Sequence, residues 1–353
     1  MKNNAKHSIL LIFLFSSQSI AQSTPSEFAE MSFEDLFQQD VRELKLGNEP
    51  KSPWSLTYQF KSVEFEGYLD GTKKLSFEDV LWNGPSEVRT DKNFPVLPTA
   101  ISQKVHLFVA GYQISSSWDA HISVPYIKQN TDHISIISNY NSFALATHGI
   151  GDVAILASYK WSDSDVEGWR FSFGISLPVG SIDERGDTPR APGKQQLPYT
   201  MQLGSGTYDI PLDLSYKSIG DHTFSFGLAA KVRTGTNDRE YRLGNSYSLN
   251  SRYEIDLSNT LQTFAGLNYR YSAPIHGQDD SLTVPSPLFP YPAGITNPDL
   301  YGGHKVNALV GFSWKVNKGY RLNLEFGKPV YQSLNGPQPK EKWRSAIGLS
   351  KSL

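Results

Sequence analysis

Apolar and polar residues alternate one by one over most of this chain, which is the pattern of β-strands with two different faces. In the segment 168–180, for example, the apolar Trp169 and Phe171 alternate with the polar Arg170 and Ser172. Such runs continue for about ten residues or more, the length that a tilted membrane strand needs, whereas strands of soluble sandwiches more often stop near five or six. The pattern therefore predicts strands that cross a membrane.

The alternation predicts about twelve strands. Their approximate bounds are 54–66, 102–112, 118–128, 151–161, 168–180, 206–217, 222–235, 240–256, 260–272, 303–316, 319–331 and 342–353. Short connections such as 256–259 alternate with mostly longer ones such as 129–150 and 273–302. A barrel whose chain ends both lie on the periplasmic side has this rhythm. We therefore predict an all-β fold, a transmembrane antiparallel β-barrel of about 12 strands surrounded by outer-membrane lipid.

The first residues have the pattern of a secretory signal peptide. Lys2 and Lys6 precede the apolar run 9–15, and small residues follow up to Ala21. A helical membrane anchor would need about 20 apolar residues, so the run is too short for one. We predict cleavage near Ala21 and location in the cell outer membrane. The predicted organisation is a signal peptide at 1–21, a periplasmic extension at 22–50 and the outer-membrane barrel at 51–353.

The extension contains one predicted amphipathic helix. Ser32 followed by Glu34 and Asp35 is typical of a helix N-cap with an acidic first turn. Apolar residues then recur at helical spacing up to Leu44. Two interpretations stay open: the helix packs against one end of the barrel, or the segment 28–46 docks a periplasmic partner.

Composition removes several classes of protein. The chain has 353 residues and no cysteine, which excludes a disulfide framework and a thiol nucleophile. Its 33 basic and 35 acidic residues are nearly balanced, so we expect no nucleic-acid partner. The 18 Tyr, 19 Phe and 7 Trp are unusual in a polar chain, and many of them fall near predicted strand ends. Rings at these depths are typical of the aromatic belts of membrane proteins.

Candidate catalytic chemistry is sparse. His121 and Ser123 have the His-x-Ser order of lipid A deacylase barrels, but their flanking residues do not match that pattern. Asp279 and Asp280 lie in a proline-rich stretch, where adjacent carboxylates are usually solvated. No phosphate-binding loop, nucleophile elbow or metal-ligand spacing is present. We predict a protein that is not an enzyme, with no catalytic residue, no metal and no cofactor.

The polar phase of the predicted strands carries more basic than acidic residues, and this phase should face the lumen. The candidate basic ladder comprises Lys231, Arg233, Arg242, Arg252, Arg270, Arg321 and Arg344. Rings of Arg and Lys along a pore favour anions. The same charges could instead form buried ion pairs that brace a narrow barrel, and the sequence does not choose between the two roles.

Several segments resemble a known family. They are Phe94-Pro-Val-Leu-Pro98, Trp118-Asp-Ala-His-Ile-Ser-Val-Pro-Tyr126, Gly149-Ile-Gly-Asp-Val-Ala-Ile-Leu-Ala-Ser-Tyr159, Phe173-Gly-Ile-Ser-Leu-Pro-Val-Gly180 and Leu203-Gly-Ser-Gly-Thr-Tyr-Asp209. Together they resemble the outer-membrane barrels grouped as the phenol-degradation MetA-pathway family, which is related to the FadL-type hydrophobic transporters. The resemblance covers most of residues 90–350. The segment 28–46 and the terminal Leu353 depart from the family's pattern.

The function that we predict is passive uptake of small-molecule cargo across the outer membrane. The resemblance implies hydrophobic or aromatic cargo, whereas the basic lumen phase favours small anions. One alternative is a barrel without transport, acting as a structural or partner-docking outer-membrane protein. An outer-membrane hydrolase is a further alternative.

Overall fold

The computed structural model describes residues 52–161, 167–218, 220, 222–316 and 319–353. The predicted signal peptide at 1–21 lies outside the described residues. So does the predicted extension at 22–50, with its helix and its docking segment 28–46.

Strands make up most of the described residues. In chain order they are β1 Trp54–Gly71, β2 Lys73–Leu75, β3 Val96–Gln113, β4 Trp118–Ser135, β5 Ser142–Ile150, β6 Val153–Lys160, β7 Glu167–Leu177, β8 Arg185–Asp187, β9 Lys194–Gln196, β10 Asp209–Ser218, β11 His222–Arg233, β12 Tyr241–Arg242, β13 Ser246–Asp256, β14 Leu261–Ser272, β15 His276–Gly277, β16 Gly303–Val316 and β17 Tyr320–Ser352. Helical structure is limited to α1 Phe77–Val80 and the 3-10 turns Tyr199–Met201, Asp280–Leu282, Gly294–Thr296 and Pro298–Leu300. In the part of the chain that is described, no helix has the length and hydropathy to cross a membrane.

Eleven strands form a closed antiparallel barrel, and β2 and β5 extend the same sheet outside this ring. The ring order is β1, β3, β4, β6, β7, β10, β11, β13, β14, β16 and β17, and β17 pairs with β1 to close it. Closure leaves no unpaired sheet edge in the wall, which is the condition for strands to lie in lipid. The predicted all-β antiparallel barrel is confirmed.

β17 crosses the wall twice. Its first leg pairs with β16 as far as Leu334, and its second leg runs back from Leu334 along β1. Where the legs face each other, Gln332 Nε2 donates to the carbonyl oxygen of Glu341 at 3.0 Å, and the amide of Glu341 donates to Gln332 Oε1 at 2.9 Å. Gly336 makes the turn at φ +74°, where a side chain would be strained. The eleven strands therefore make about twelve crossings, which matches the even number expected of such barrels.

The two ends of the barrel differ, as the loop rhythm predicted. At the short-turn end, brief connections such as 114–117 and 257–260 join neighbouring strands. At the long-loop end, the connections 72–95, 178–208 and 273–302 fold over the mouth of the barrel. Here the predicted loop 129–150 is wrong, because β4 continues to Ser135 and β5 pairs with its upper half.

Burial is inverted relative to a soluble protein. On β7 the apolar Phe171 and Phe173 are 37% and 42% exposed on the outer face, whereas Ser172 and Ser176 are buried inside. Large exposed side chains of this kind recur around the ring, on β3, β11, β14 and β16. An apolar outer face around a polar interior is the arrangement of transmembrane barrels.

A buried carboxylate fixes the loop 178–208 to the wall. Asp152, in the short break between β5 and β6, accepts hydrogen bonds from the amides of Gly180 and Ser205 at 3.0 and 2.8 Å, and from the Ser205 hydroxyl at 2.7 Å. Gly204 packs so closely on Gly180 that a Cβ on Gly204 would lie 2.3 Å from the Gly180 carbonyl oxygen. These contacts place the loop beside β5, where it helps to form the site described next.

Candidate functional site

A cavity of about 440 Å³ lies at the long-loop end, above the β3–β4–β5 sector of the wall. Val96, His133 and Phe143 contribute its barrel side, and the segments 82–95, 188–198 and 284–296 contribute the rest. The volume is within the range of roughly 300–1,000 Å³ that is common for small-molecule sites.

Buried apolar clusters give this cavity its walls. Val96, Ala293 and Ile295 pack together against Phe143. Leu145 packs beside them with the buried Leu197 and Met201. Trp82, Phe289 and Tyr291 add aromatic surface. Because these side chains come from four separated segments, the apolar lining forms only when the loops fold over the barrel.

His133 is a buried polar residue of the lining. Its ring stacks on Phe143 at 4.6 Å between centroids, with only 3° between the planes. The side chain is 3% exposed, and Nδ1 has no hydrogen-bond partner. A buried polar atom left without a partner is costly, so this nitrogen is a candidate contact for a polar group of a bound molecule.

Arg89 joins two of the loops that form the cavity. Its guanidinium donates to the carbonyl oxygen of Thr90, to Asn93 Oδ1 at 3.1 Å and to the carbonyl oxygen of Tyr291 at 3.0 Å. It also lies over the rings of Phe94 and Phe289 at 5.0 and 5.1 Å. Burial lowers the pKa of Arg89, although the nearby charge of Asp91 opposes the shift.

Arg190 reaches the cavity from the loop 178–208. Its guanidinium donates to the carbonyl oxygen of Gln196 at 2.7 Å, and burial lowers its pKa. Within the described residues, neither Arg190 nor Arg89 forms an ion pair with a carboxylate. The cavity thus combines an apolar lining with two cationic groups whose partners are neutral.

A second buried cluster holds the neighbouring loops in place. Tyr199, Tyr241 and Tyr301 pack edge to face, with the Tyr199 centroid 4.8 and 5.6 Å from the other two. Burial raises the pKa of Tyr199 and of Tyr241 well above the ordinary value of a tyrosine, a direction that keeps both hydroxyls neutral. Arg239 adds ion pairs to Asp183 at 2.6 Å and to Asp279 at 3.0 Å.

The lumen contains much of the basic ladder, and the structure pairs several of its members with acids. Arg233 and Lys231 on β11 both contact Asp209 on β10, the lysine at 3.9 Å. All three side chains are nearly inaccessible to solvent. One carboxylate therefore serves two cations at the long-loop end of the lumen.

Glu341 on β17 is shared in the same way. Arg344 contacts it through two hydrogen bonds at 2.6 and 2.7 Å, and Lys305 Nζ lies 3.6 Å away. Arg270 on β14 lies directly opposite Lys305 in the strand register, and both side chains are buried. Buried basic residues thus lie on β11, β14, β16 and β17, and their role as a ladder for anions stays a prediction.

The remaining ladder residues occupy different environments. Arg252 on β13 lies 2.9 Å from Glu254, with its guanidinium 3.3 Å from the Phe264 ring centroid. Arg321 is buried near the short-turn end. Arg242 is not in the wall, because the predicted strand 240–256 begins at Ser246 and Arg242 lies in β12.

At the break that separates Arg242 from the wall, the backbone comes very close to another connection. Gly244 packs against the carbonyl of Ala273, and a Cβ there would lie 1.9 Å from that oxygen. β12 lies outside the barrel sheet and pairs with β15. Arg242 and Arg270, which the alternation placed on neighbouring strands of one wall, do not share that wall.

The possible catalytic pair does not form a dyad. His121 and Ser123 lie on the same face of β4, but the buried Ser123 Oγ makes no hydrogen bond. Among the residues that the structure describes, no group of three or more His, Asp or Glu side chains could hold a metal ion.

Sequence reasoning missed the cavity because it considered charges only on the alternating strands. Arg89, Arg190 and Phe289 lie in connections, where periodicity carries no information. One signal in the sequence is the segment Phe94–Pro98, because Phe94 is buried under Arg89.

Solved structures that are similar to this chain include a channel, a transporter and a porin. The COG4313 outer membrane channel from Pseudomonas putida F1 is 13% identical, and the match covers 86% of this chain and 96% of that chain with a TM-score of 0.54. The Pseudomonas putida toluene transporter TodX is 9% identical, covering 89% and 94%, with a TM-score of 0.44. The KdgM porin is 9% identical, covering 85% and 99%, with a TM-score of 0.39.

At 13% identity, the match to the COG4313 outer membrane channel shows a shared fold alone. No family model and no curated protein matches the sequence. The resemblance to the phenol-degradation MetA-pathway family therefore stays a prediction.

Proposed function

We propose that this protein is an outer-membrane channel for small apolar or aromatic compounds, which enter through the cavity at the long-loop end. The observation that carries the proposal is the apolar cavity of about 440 Å³ on a barrel with inverted burial. A lipid-facing barrel places the long loops outside and the short turns in the periplasm. The cavity would then be the first apolar site that a compound meets from the medium.

The barrel fold that this chain shares with a solved outer membrane channel supports the proposal by analogy. The lumen supports a narrow path. Below the cavity, Gln103 donates to Gln129 at 3.4 Å and Gln129 donates to Thr147 at 2.8 Å, so polar side chains fill the space under the apolar site. Passage would depend on rearrangement of such side chains. The channel proposal does not depend on the predicted docking of a periplasmic partner by segment 28–46.

The hydrolase alternative has weaker support, since Ser123 Oγ makes no hydrogen bond to His121 or to any other described group. A general base must reach the nucleophile to activate it. Assay of ester and lipid cleavage by the purified protein remains the direct test of that alternative.

The test of the channel is planar-bilayer conductance, measured with and without the neutral aromatic alcohol 1-naphthalenemethanol on the loop side. We expect conductance steps that the alcohol blocks. Val284→Trp places a large ring at a cavity-lining position and should weaken the block. Leu288→Trp is the matched control, because Leu288 lies in the same loop and is 81% exposed. A folded protein that conducts no ions would overturn the proposal.

A further inference from the structure

The two guanidinium groups of the cavity have different remaining capacities for hydrogen bonds. Arg89 uses its donors on Thr90, Asn93 and Tyr291, and its guanidinium lies over two aromatic rings. Arg190 makes a single side-chain hydrogen bond within the described residues, to the carbonyl oxygen of Gln196. Since a guanidinium has five N–H donors, Arg190 keeps donors for a ligand.

The carboxylate of Asp279 forms no ion pair with Arg190. Asp279 influences the pKa of Arg190, but its carboxylate is engaged by the Arg239 guanidinium at 3.0 Å and by the amide and hydroxyl of Ser281 at 2.9 and 2.5 Å. A half-buried cation beside apolar walls attracts an anion more strongly than a solvated surface cation does. The cavity is therefore complementary in charge to a small anion.

The rest of the lining restricts what that anion can be. Phe143, stacked on His133, offers a flat apolar surface, and Phe289 and Tyr291 add further rings. Aromatic rings pack favourably on such surfaces. His133 Nδ1 is buried without a partner, which marks a second position where a polar ligand atom would remove an unsatisfied group.

We propose that the cavity binds small aromatic carboxylates, with Arg190 holding the carboxylate and the aromatic body lying against the apolar wall. This binding proposal depends on the proposed channel function in one respect, because it takes the bound compound to be cargo of the channel. Apolar and anionic cargo are then not alternatives, because one molecule carries both properties.

The test compares binding of 1-naphthoate and its neutral analogue 1-naphthamide to the purified, detergent-solubilised protein by calorimetry. Because charge-assisted hydrogen bonds are worth more than neutral ones, we expect the carboxylate to bind about tenfold more tightly. Arg190→Gln should reduce that preference to less than about threefold and leave naphthamide binding unchanged. Arg185→Gln is the control, since it removes a charge from an exposed position of the same loop that does not line the cavity.

Two further measurements complete the test. His133→Phe keeps an aromatic ring beside Phe143 and should weaken naphthoate binding a few-fold. Octanoate should bind more weakly than naphthoate if the aromatic walls select the body of the ligand.

An equal loss of preference in Arg185→Gln would overturn the proposal, as would equal affinities for naphthoate and naphthamide in the unaltered protein. Absence of binding by both compounds would overturn it too. Because binding in detergent needs no conduction, a protein that conducts without carboxylate preference would leave the channel proposal intact. One that binds naphthoate but conducts nothing would contradict the channel alone.

Discussion

The buried cations of the lumen have acidic partners, whereas those of the cavity have neutral partners. In the lumen, Arg233 and Lys231 surround Asp209, and Arg344 and Lys305 surround Glu341. In the cavity, Arg89 and Arg190 contact carbonyl oxygens, an amide and rings instead of carboxylates.

This difference separates two roles of buried charge. A cation paired with a buried carboxylate is largely committed to holding the structure, since removing either partner leaves the other desolvated. A cation with neutral partners retains its full charge for an incoming anion. The basic ladder and the cavity are therefore best tested by different measurements, the first by stability and ion selectivity and the second by ligand binding.

The largest effect should come from removing the shared carboxylate of the lumen. Asp209→Asn should destabilise the barrel by about 3–5 kcal/mol, because Lys231 and Arg233 lose the acid that they share in a buried site. The measurement is the temperature at which heat-modifiable mobility is lost on electrophoresis. Asp183→Asn is the control, since Asp183 pairs with Arg239 in an exposed position where such pairs contribute about 0–1 kcal/mol. Equal shifts in the two variants would contradict the distinction.

The ladder itself is tested by ion selectivity. Arg270→Gln should lower anion preference in bilayer recordings, because Arg270 lies inward opposite Lys305 in the middle of the basic row. Arg242→Gln should leave selectivity unchanged, because Arg242 lies in β12 outside the wall. If Arg270→Gln lowers thermal stability but not selectivity, the ladder is a brace and the anion-pore hypothesis fails.

Arg89 should matter more to the loops over the mouth of the barrel than to the barrel wall. Arg89→Ala removes hydrogen bonds to Asn93 and Tyr291 and the packing on two rings, so local stability of the loops should fall by about 1–2 kcal/mol. Faster proteolytic cleavage within 82–95, with an unchanged heat-modifiable barrel, is the expected result. Loss of the barrel itself in this variant would show that the loops and the wall do not unfold separately.

The smallest effect is a pH dependence of the stability of the loop that carries Arg89. The amide of Asn83 donates to Glu87 at 2.8 Å and lowers the pKa of this carboxyl below its ordinary 4.5. A carboxyl with a depressed pKa stabilises the fold above its unfolded pKa, and that stability is lost as pH falls through the folded value. Cleavage within 82–93 should therefore rise below about pH 4.5. Glu87→Gln should show little of this dependence, and an unchanged dependence would contradict the role of Glu87.

Much of the barrel could be predicted because each strand has two different environments. Because Phe171 and Phe173 alternate with Ser172, one face of the strand must lie in apolar surroundings and the other in polar surroundings, whichever strands are adjacent. The predicted legs 319–331 and 342–353 correspond to the two halves of β17. Predictions were wrong where the chain leaves this period, at 129–150 and at Arg242, because local packing of Gly244 and pairing with β5 set the strand ends there.

By itself, then, the sequence determined the closed sheet and its two faces, since a period of two is a local property of each strand. Only the tertiary structure decided which charges are neutralised. Asp209 meets Lys231 and Arg233 through the β10–β11 register, whereas Arg89, Arg190 and His133 come together from distant segments that share no periodicity. The cavity depends on how the loops pack over the mouth of the barrel, which alternation along single strands does not specify.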